Sequence, residues 1–224
     1  MGSCHACLFK MGLRQFLTMR KIETIIFDLG GVLIDWNPRY LYRKIFSTEE
    51  EINWFLETVC TGEWNEQQDA GRSSAEAIAV LVKQFPQHEV AIRSWFDRWP
   101  ETIGGPIHDS VEILKTLRDM KQHRLYALTN WSAETFPWAK NNFDFLHWFE
   151  GIVVSGEEKT LKPKLDFYQI LLDRYAVNPQ QALFIDDNIK NTEAAKLIGI
   201  DSIHFKKPSQ LRQELMDRGI TLRS

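Results

Sequence analysis

Five short runs constrain the fold more than any other feature: residues 24–29, 125–129, 152–155, 182–185 and 202–205 are each almost continuously apolar. None is long enough for a helix. None alternates as a strand with one wet face would, so the sheet they form must be covered on both sides. Helical patterns separate the later four. Val111, Leu114, Leu117 and Met120 recur at helical spacing, as do Phe167, Ile170, Leu171 and Tyr175. Asn178-Pro179-Gln180-Gln181 offers a capping side chain and a proline at the first helical position. This alternation predicts an α/β chain with a doubly wound parallel sheet.

The stretch between the first and second runs carries helical signals only. Ser47-Thr48-Glu49-Glu50 and Ser73-Ser74-Ala75-Glu76 both fit the capping-box pattern. The second opens an expected apolar face of Ala75, Ile78, Ala79, Val82 and Phe85. Residues 37–104 therefore read as an inserted helical cap, and residues 20–36 with 105–224 as the core. An insert after the first strand lies above the carboxyl ends of the sheet, where open α/β folds bind ligands, so it is expected to act as a lid.

A chain of 224 residues can bury a substantial core and carry such an insert. A net charge of −3, with Lys and Arg scattered, excludes a nucleic-acid surface. No apolar run approaches the ~20 residues of a membrane span. Three cysteines argue against a disulfide framework and for a reducing cytoplasmic setting. Cys4-His5-Ala6-Cys7 lacks a second pair to complete a zinc site. Residues 1–19 read as a dispensable extension, with Met11 and Met19 as alternative starts.

The chemistry is carried by residues placed at strand ends. Asp28 closes the first run and is followed by Gly30-Gly31; Thr129-Asn130 closes the second; Lys162-Pro163 follows the third; Asp186-Asp187-Asn188 closes the fourth. An aspartate there can be a nucleophile, a metal ligand or both. Three carboxylates in one pocket would raise at least one pKa unless a cation neutralised them. Mg²⁺ suits such a site, since it takes one or two carboxylates and completes its shell with water and substrate phosphate. Lys162 would add a point charge between nucleophile and phosphate. Thr129, with Asn130 and the amides after it, would hydrogen-bond the phosphoryl oxygens.

In this order and spacing, Asp28-Leu29-Gly30-Gly31-Val32, Leu128-Thr129-Asn130, Lys162-Pro163 and Phe184-Ile185-Asp186-Asp187-Asn188 with Asn191 resemble the motifs of the haloacid dehalogenase superfamily. The resemblance implies a Rossmann-like core with a small helical cap and an aspartyl intermediate on Asp28. It also implies a Mg²⁺ site made by Asp28, the Gly30 carbonyl and Asp187, with Asp186 supporting through water. Asp28, Thr129 and Lys162 become the expected catalytic groups, and Gly31, Trp36, Asn130 and Trp131 the expected substrate contacts.

One position departs from the pattern. Most phosphatases of the superfamily carry, two residues after the nucleophile, an aspartate that protonates the leaving group; here it is Gly30. Loss of a general acid forfeits a factor of ~10² to 10⁴, least for leaving groups of low pKa. A branch with Asp-Leu-Gly and Asp-Asp-Asn includes sugar-1-phosphate phosphatases. The expected function is thus a Mg²⁺-dependent phosphatase of a small phosphorylated metabolite, acting as a monomer or a homodimer. One alternative is a metal-free 2-haloacid dehalogenase using Asp28, against which the Asp186-Asp187 pair argues. Another is a non-catalytic binding protein of the same fold. Asp35 is expected to order the loop into the insert. Trp54, Trp64, Trp95 and Trp99 are expected in the insert core, Cys60 as a buried small hydrophobe, and Arg39, Arg43 and Arg72 as solvated side chains. His108, His123 and His204 lack metal-ligand spacing.

Overall fold

The computed structural model describes residues 21–222; the 1–19 extension and its Cys4-His5-Ala6-Cys7 lie outside them. All five expected strands form, with ends shifted by one or two residues: β1 (Thr24–Phe27), β4 (Arg124–Thr129), β5 (Gly151–Val154), β6 (Ala182–Asp186) and β7 (Asp201–His204). They pair in parallel in the order β5-β4-β1-β6-β7. Thr24 stands opposite Arg124 on one side and Ala182 on the other, and Phe27 opposite Ala127 and Ile185.

Alternation along these strands divides the core. Ile25 and Phe27 join one buried cluster, with Ile113, Leu114 and Leu117 of α6 (His108–Met120) and Leu211 and Leu215 of α11 (Pro208–Asp217). Ile26, Tyr126, Leu128 and Phe184 join the other, with Phe167 and Leu171 of α9 (Leu165–Tyr175) and Ala195 of α10 (Ile189–Leu197). Successive side chains point to opposite faces, so a continuously apolar strand is what a sheet covered on both faces requires. The remaining core helices are α7 (Phe136–Asn142) and the short α8 (Ser155–Glu158).

Residues 37–102 carry five α-helices: α1 (Arg39–Tyr42), α2 (Glu49–Thr58), α3 (Gly62–Asp69), α4 (Ser74–Gln84) and α5 (Glu89–Asp97). They are bracketed by a two-stranded antiparallel ribbon of β2 (Ile34–Trp36) and β3 (Ile103–Pro106), with Asp35 opposite Gly105. This ribbon was not expected from sequence, because a three-residue strand is too short to show a period and Gly104-Gly105-Pro106 reads as a turn. Buried Tyr42, Phe55, Trp64 and Trp95 of the helices belong to the same cluster as Phe27 and Leu33.

Three local expectations need correction. The first capping box forms one residue later, between Thr48 and Glu51, where it lets Ile52 and Phe55 face inward. The α4 face is rotated: Ala77 and Leu81 are buried, Ile78, Val82 and Phe85 flank them, and Ala75 and Ala79 are exposed. Its Ser73–Glu76 box forms as expected. Trp54 is exposed rather than part of the insert core, whereas Trp64, Trp95 and Trp99 are buried, as is the free thiol of Cys60. No helix among the described residues is long and apolar enough to cross a membrane.

Candidate active site

The carboxyl ends of β1, β4 and β6 converge. Asp28 follows β1, and its carboxylate accepts the Leu29 amide at 2.7 Å. Lys162, on the segment after α8, has a fully buried ammonium that bridges Asp28 at 2.9 Å and Asp186 at 2.7 Å. Asp186 closes β6 and is held further by Asn191, whose amide donates to both carboxylate oxygens at 3.0 and 3.1 Å, and by the Asn188 amide at 2.8 Å. Asn188 caps the start of α10. A buried carboxylate needs such a full set of donors to stay where it is.

Asp28, Asp186 and Asp187 bring one oxygen each within 4.8 Å of one another. One lysine faces three carboxylates, and the electrostatics follow. Burial pushes Asp28 up to about 8; Lys162 opposes this, while Asp186 and Asp187 add to it. Burial by itself would lower Lys162, but Asp186 and Asp28 outweigh it and hold its pKa above the usual lysine value. Asp187 is exposed at the mouth of the site, yet the loss of water on its inward side, and then the Asp186 charge, raise its carboxyl. A cluster of hard oxygen donors carrying surplus negative charge fits a divalent cation such as Mg²⁺.

The turn after Asp28 is shaped around this cluster. Gly31 adopts a positive φ of 71°, and a Cβ there would come within 2.2 Å of the Asp187 carboxylate. Gly30 is different: a Cβ at that position would meet nothing within 4 Å. Thr129 is buried at the end of β4, and its hydroxyl has no partner among the described residues, so it is free for a ligand oxygen. Asn130 donates its amide to the Lys162 carbonyl at 3.0 Å and accepts the Lys162 amide at 2.9 Å. Asn130 thereby fixes the lysine segment.

Beside this centre is a pocket with about 490 Å³ of empty space, counting its open mouth. Gly30 and Asn130 form its floor together with Trp131, and Trp36, Trp95, Phe96 and Trp99 supply an aromatic wall. The rings brace one another: Trp99 and Trp131 lie 5.5 Å apart, Trp36 and Trp95 6.3 Å. Polar groups at the pocket are Asn65, Gln68, Asp69, Ser132 and Thr135.

The structure therefore brings Asp28, Lys162, Asp186 and Asp187 into one cluster, and sets Gly30, Trp36, Asn130 and Trp131 around the adjoining pocket. Asp35 instead accepts the Tyr40 hydroxyl at 2.8 Å, as a loop-ordering group would. Arg39 and Arg43 pair with Glu49, and Arg72 holds Gln68 and the Trp64 carbonyl; none lines the pocket. His204 touches the Asp187 carbonyl at 3.0 Å. Sequence reasoning missed Phe96, Asp69, Gln68 and Ser132 as pocket groups. They belong to no motif, and only the packing of the insert helices on the core brings them to the pocket.

Comparison with known proteins agrees with this geometry. A family model described as haloacid dehalogenase-like hydrolase matches residues 22–199. The chain is 28% identical over 188 residues to the sesquiterpene phosphatase astK of Aspergillus oryzae, covering 82% of this chain and 89% of that one. It is 24% identical over 196 residues to a phosphorylated carbohydrates phosphatase of Thermotoga maritima, covering 82% and 84%. Among solved structures, the enzyme bt-2542 of Bacteroides thetaiotaomicron, in complex with magnesium and inorganic phosphate, shares the fold with a TM-score of 0.61 at 21% identity, over 83% of this chain and 95% of that one. Phosphatase relatives favour phosphatase over dehalogenase chemistry. With four motifs gathered at one end of the sheet and a family model spanning most of its length, the chain belongs to the haloacid dehalogenase-like hydrolases.

Proposed function

We propose that the chain is a Mg²⁺-dependent phosphatase in which Asp28 attacks a phosphate monoester and carries the phosphoryl group as an aspartyl phosphate. The observation that carries this reading is the cluster of Asp28, Asp186 and Asp187 served by a single buried lysine. Such an arrangement repels an anionic substrate unless a cation is present. Asp28, the Gly30 carbonyl and Asp187 would hold Mg²⁺, with Asp186 supporting through water. When bound, the ion would neutralise the carboxylates and polarise the phosphoryl oxygens.

The chain's own residues do the rest. Lys162 aims Asp28 and opposes the upward push of burial on its carboxyl, and it offsets charge on the transferring phosphoryl group. The partnerless Thr129 hydroxyl donates to a phosphoryl oxygen. Gly31 lets the backbone approach closely, and Asn130 positions Lys162. Residues 37–104 act as the cap over a core of 20–36 and 105–224, and Trp36 and Trp131 contact the organic part of the substrate. The free, buried Cys60 suits a reducing cytoplasm.

The pocket wall favours a phosphate ester with a largely apolar body, in line with the name of the sesquiterpene phosphatase relative. A sugar 1-phosphate is the second reading. It is favoured by the polar groups among the rings and by the name of the carbohydrates phosphatase relative. Phosphate release from prenyl, sugar 1-, sugar 6- and aryl phosphates, each with Mg²⁺ and with EDTA, tests both readings. Metal-dependent release abolished by Asp28→Asn is expected. Release that is indifferent to EDTA sinks the metal reading, and halide release from 2-haloacids would replace it with a dehalogenase.

A further inference from the structure

Gly30 leaves the site without an acid beside the nucleophile, and the missing carboxyl has a counterpart elsewhere in the same pocket. Asp69 ends α3 in the helical insert, and it lines the pocket that Gly30 and Asn130 floor. We propose that Asp69 protonates the leaving-group oxygen in place of the acid that Gly30 lacks, a role that rests on the phosphatase reading above.

Three observations support it. First, Asp69 is the one carboxylate among the residues lining that pocket. Second, it is held by the core and the insert together. It accepts the Asn65 amide at 3.1 Å within its own helix and the backbone amide of Ser132, three residues beyond Thr129. A group pinned across that junction has a defined position in the pocket that Gly30 and Asn130 also line. Third, its environment keeps it protonated near neutrality. Burial first, and the Glu66 charge second, push its carboxyl up to about 7 against the Ser132 amide and Lys162. The charges acting on it are thus Glu66 of its own helix and Lys162 of the core. A general acid is most effective with a pKa near the working pH.

The steps balance. An Asp28 oxygen forms the bond to phosphorus as the ester P–O bond breaks, and the departing oxygen takes the proton of Asp69 to leave as an alcohol. The resulting Asp69 carboxylate then takes a proton from the water that attacks the aspartyl phosphate. Phosphate leaves and both aspartates return to their starting states. Alkyl alcohols, whose oxyanions are poor leaving groups, gain most from this donor, so an apolar alkyl phosphate becomes a workable substrate despite Gly30.

The test compares the full-length enzyme with Mg²⁺ on two esters, an unactivated alkyl (prenyl) phosphate and p-nitrophenyl phosphate, whose leaving group needs no proton. In kcat/KM, which reports the steps up to departure of the alcohol and not the later hydrolysis common to both esters, Asp69→Asn is expected to lose roughly 10² to 10⁴-fold on the alkyl ester and less than about tenfold on the aryl ester, which also reports that the variant is folded. Asp69→Glu should recover part of the alkyl activity. In the wild type, kcat/KM on the alkyl ester should fall as pH rises through about 7, and this alkaline limb should be missing with the aryl ester. Equal losses of kcat/KM on both esters, or an unchanged kcat/KM on the alkyl ester, overturn the proposal. Should Asp69→Asn fail to fold, the wild-type profiles decide, and identical pH dependence on both esters overturns it. A wild type silent on both esters overturns the phosphatase reading itself, a result distinct from an active enzyme indifferent to Asp69.

Discussion

At the scale of single residues, neighbouring glycines have opposite roles. Gly31 sits at positive φ with the Asp187 carboxylate 2.2 Å from where a Cβ would be, whereas the space around Gly30 is open. Gly31→Ala should therefore displace Asp187 and cost about 1–2 kcal/mol in backbone strain alone. Its phosphate release should fall more than tenfold, with a higher Mg²⁺ requirement. Gly30→Ala should fold with an unchanged melting temperature. Equal effects of the two would contradict this account. Lys162 is the second residue on which the site turns. Replacing it with Met leaves Asp28 and Asp186 buried together without their cation, a loss of about 3–5 kcal/mol, readable as a lower urea midpoint. Mg²⁺ should recover part of that stability without recovering turnover.

At the scale of elements, helix starts in the insert are held by reciprocal caps. Ser73 accepts the Glu76 amide while the Glu76 carboxylate accepts from the Ser73 backbone, and Thr48 with Glu51 repeats the device. Ser73→Ala should lower stability by about 1 kcal/mol in chemical denaturation and leave the aryl phosphate KM unaltered. A shift in KM would mean that α4 reports on the pocket directly. These elements also mark how far local reading goes. Strand positions were legible because burial on both faces imprints a continuous apolar run. The α4 face was misjudged by part of a turn, because alanines spaced along the helix look the same facing water or core. The β2–β3 ribbon was invisible, since its pairing partner lies some seventy residues away in the chain, across the whole insert.

At the scale of the whole molecule, charge at the sheet's carboxyl end couples stability to pH and metal. Asp28 is raised in the folded state from its ordinary 3.8 to about 8. The stability it confers without metal is therefore complete below about pH 4 and lost as pH climbs towards 8. Metal-free wild type should lose melting temperature over that window relative to Asp28→Asn. The rise in melting temperature on adding Mg²⁺ should be larger at pH 8 than at pH 5, because the ion binds ionised carboxylates. A Mg²⁺ effect independent of pH would argue against a carboxylate-bound cation.

The sequence by itself determined the α/β class, the strand order along the chain, and the identities of Asp28, Lys162, Asp186 and Asp187. Covered strands and the proposed phosphoryl chemistry each demand particular residue types at particular points in a repeating strand–helix unit, and such demands are local. Only the tertiary structure decided that the Asn130 side chain is spent on holding Lys162, that Asp35 is tied to Tyr40, and that Trp95, Phe96, Trp99 and Asp69 face the same pocket as Gly30. Those facts depend on how the helical insert packs against the ends of the sheet. Residues on separate elements meet there, and no periodicity in either element records the meeting.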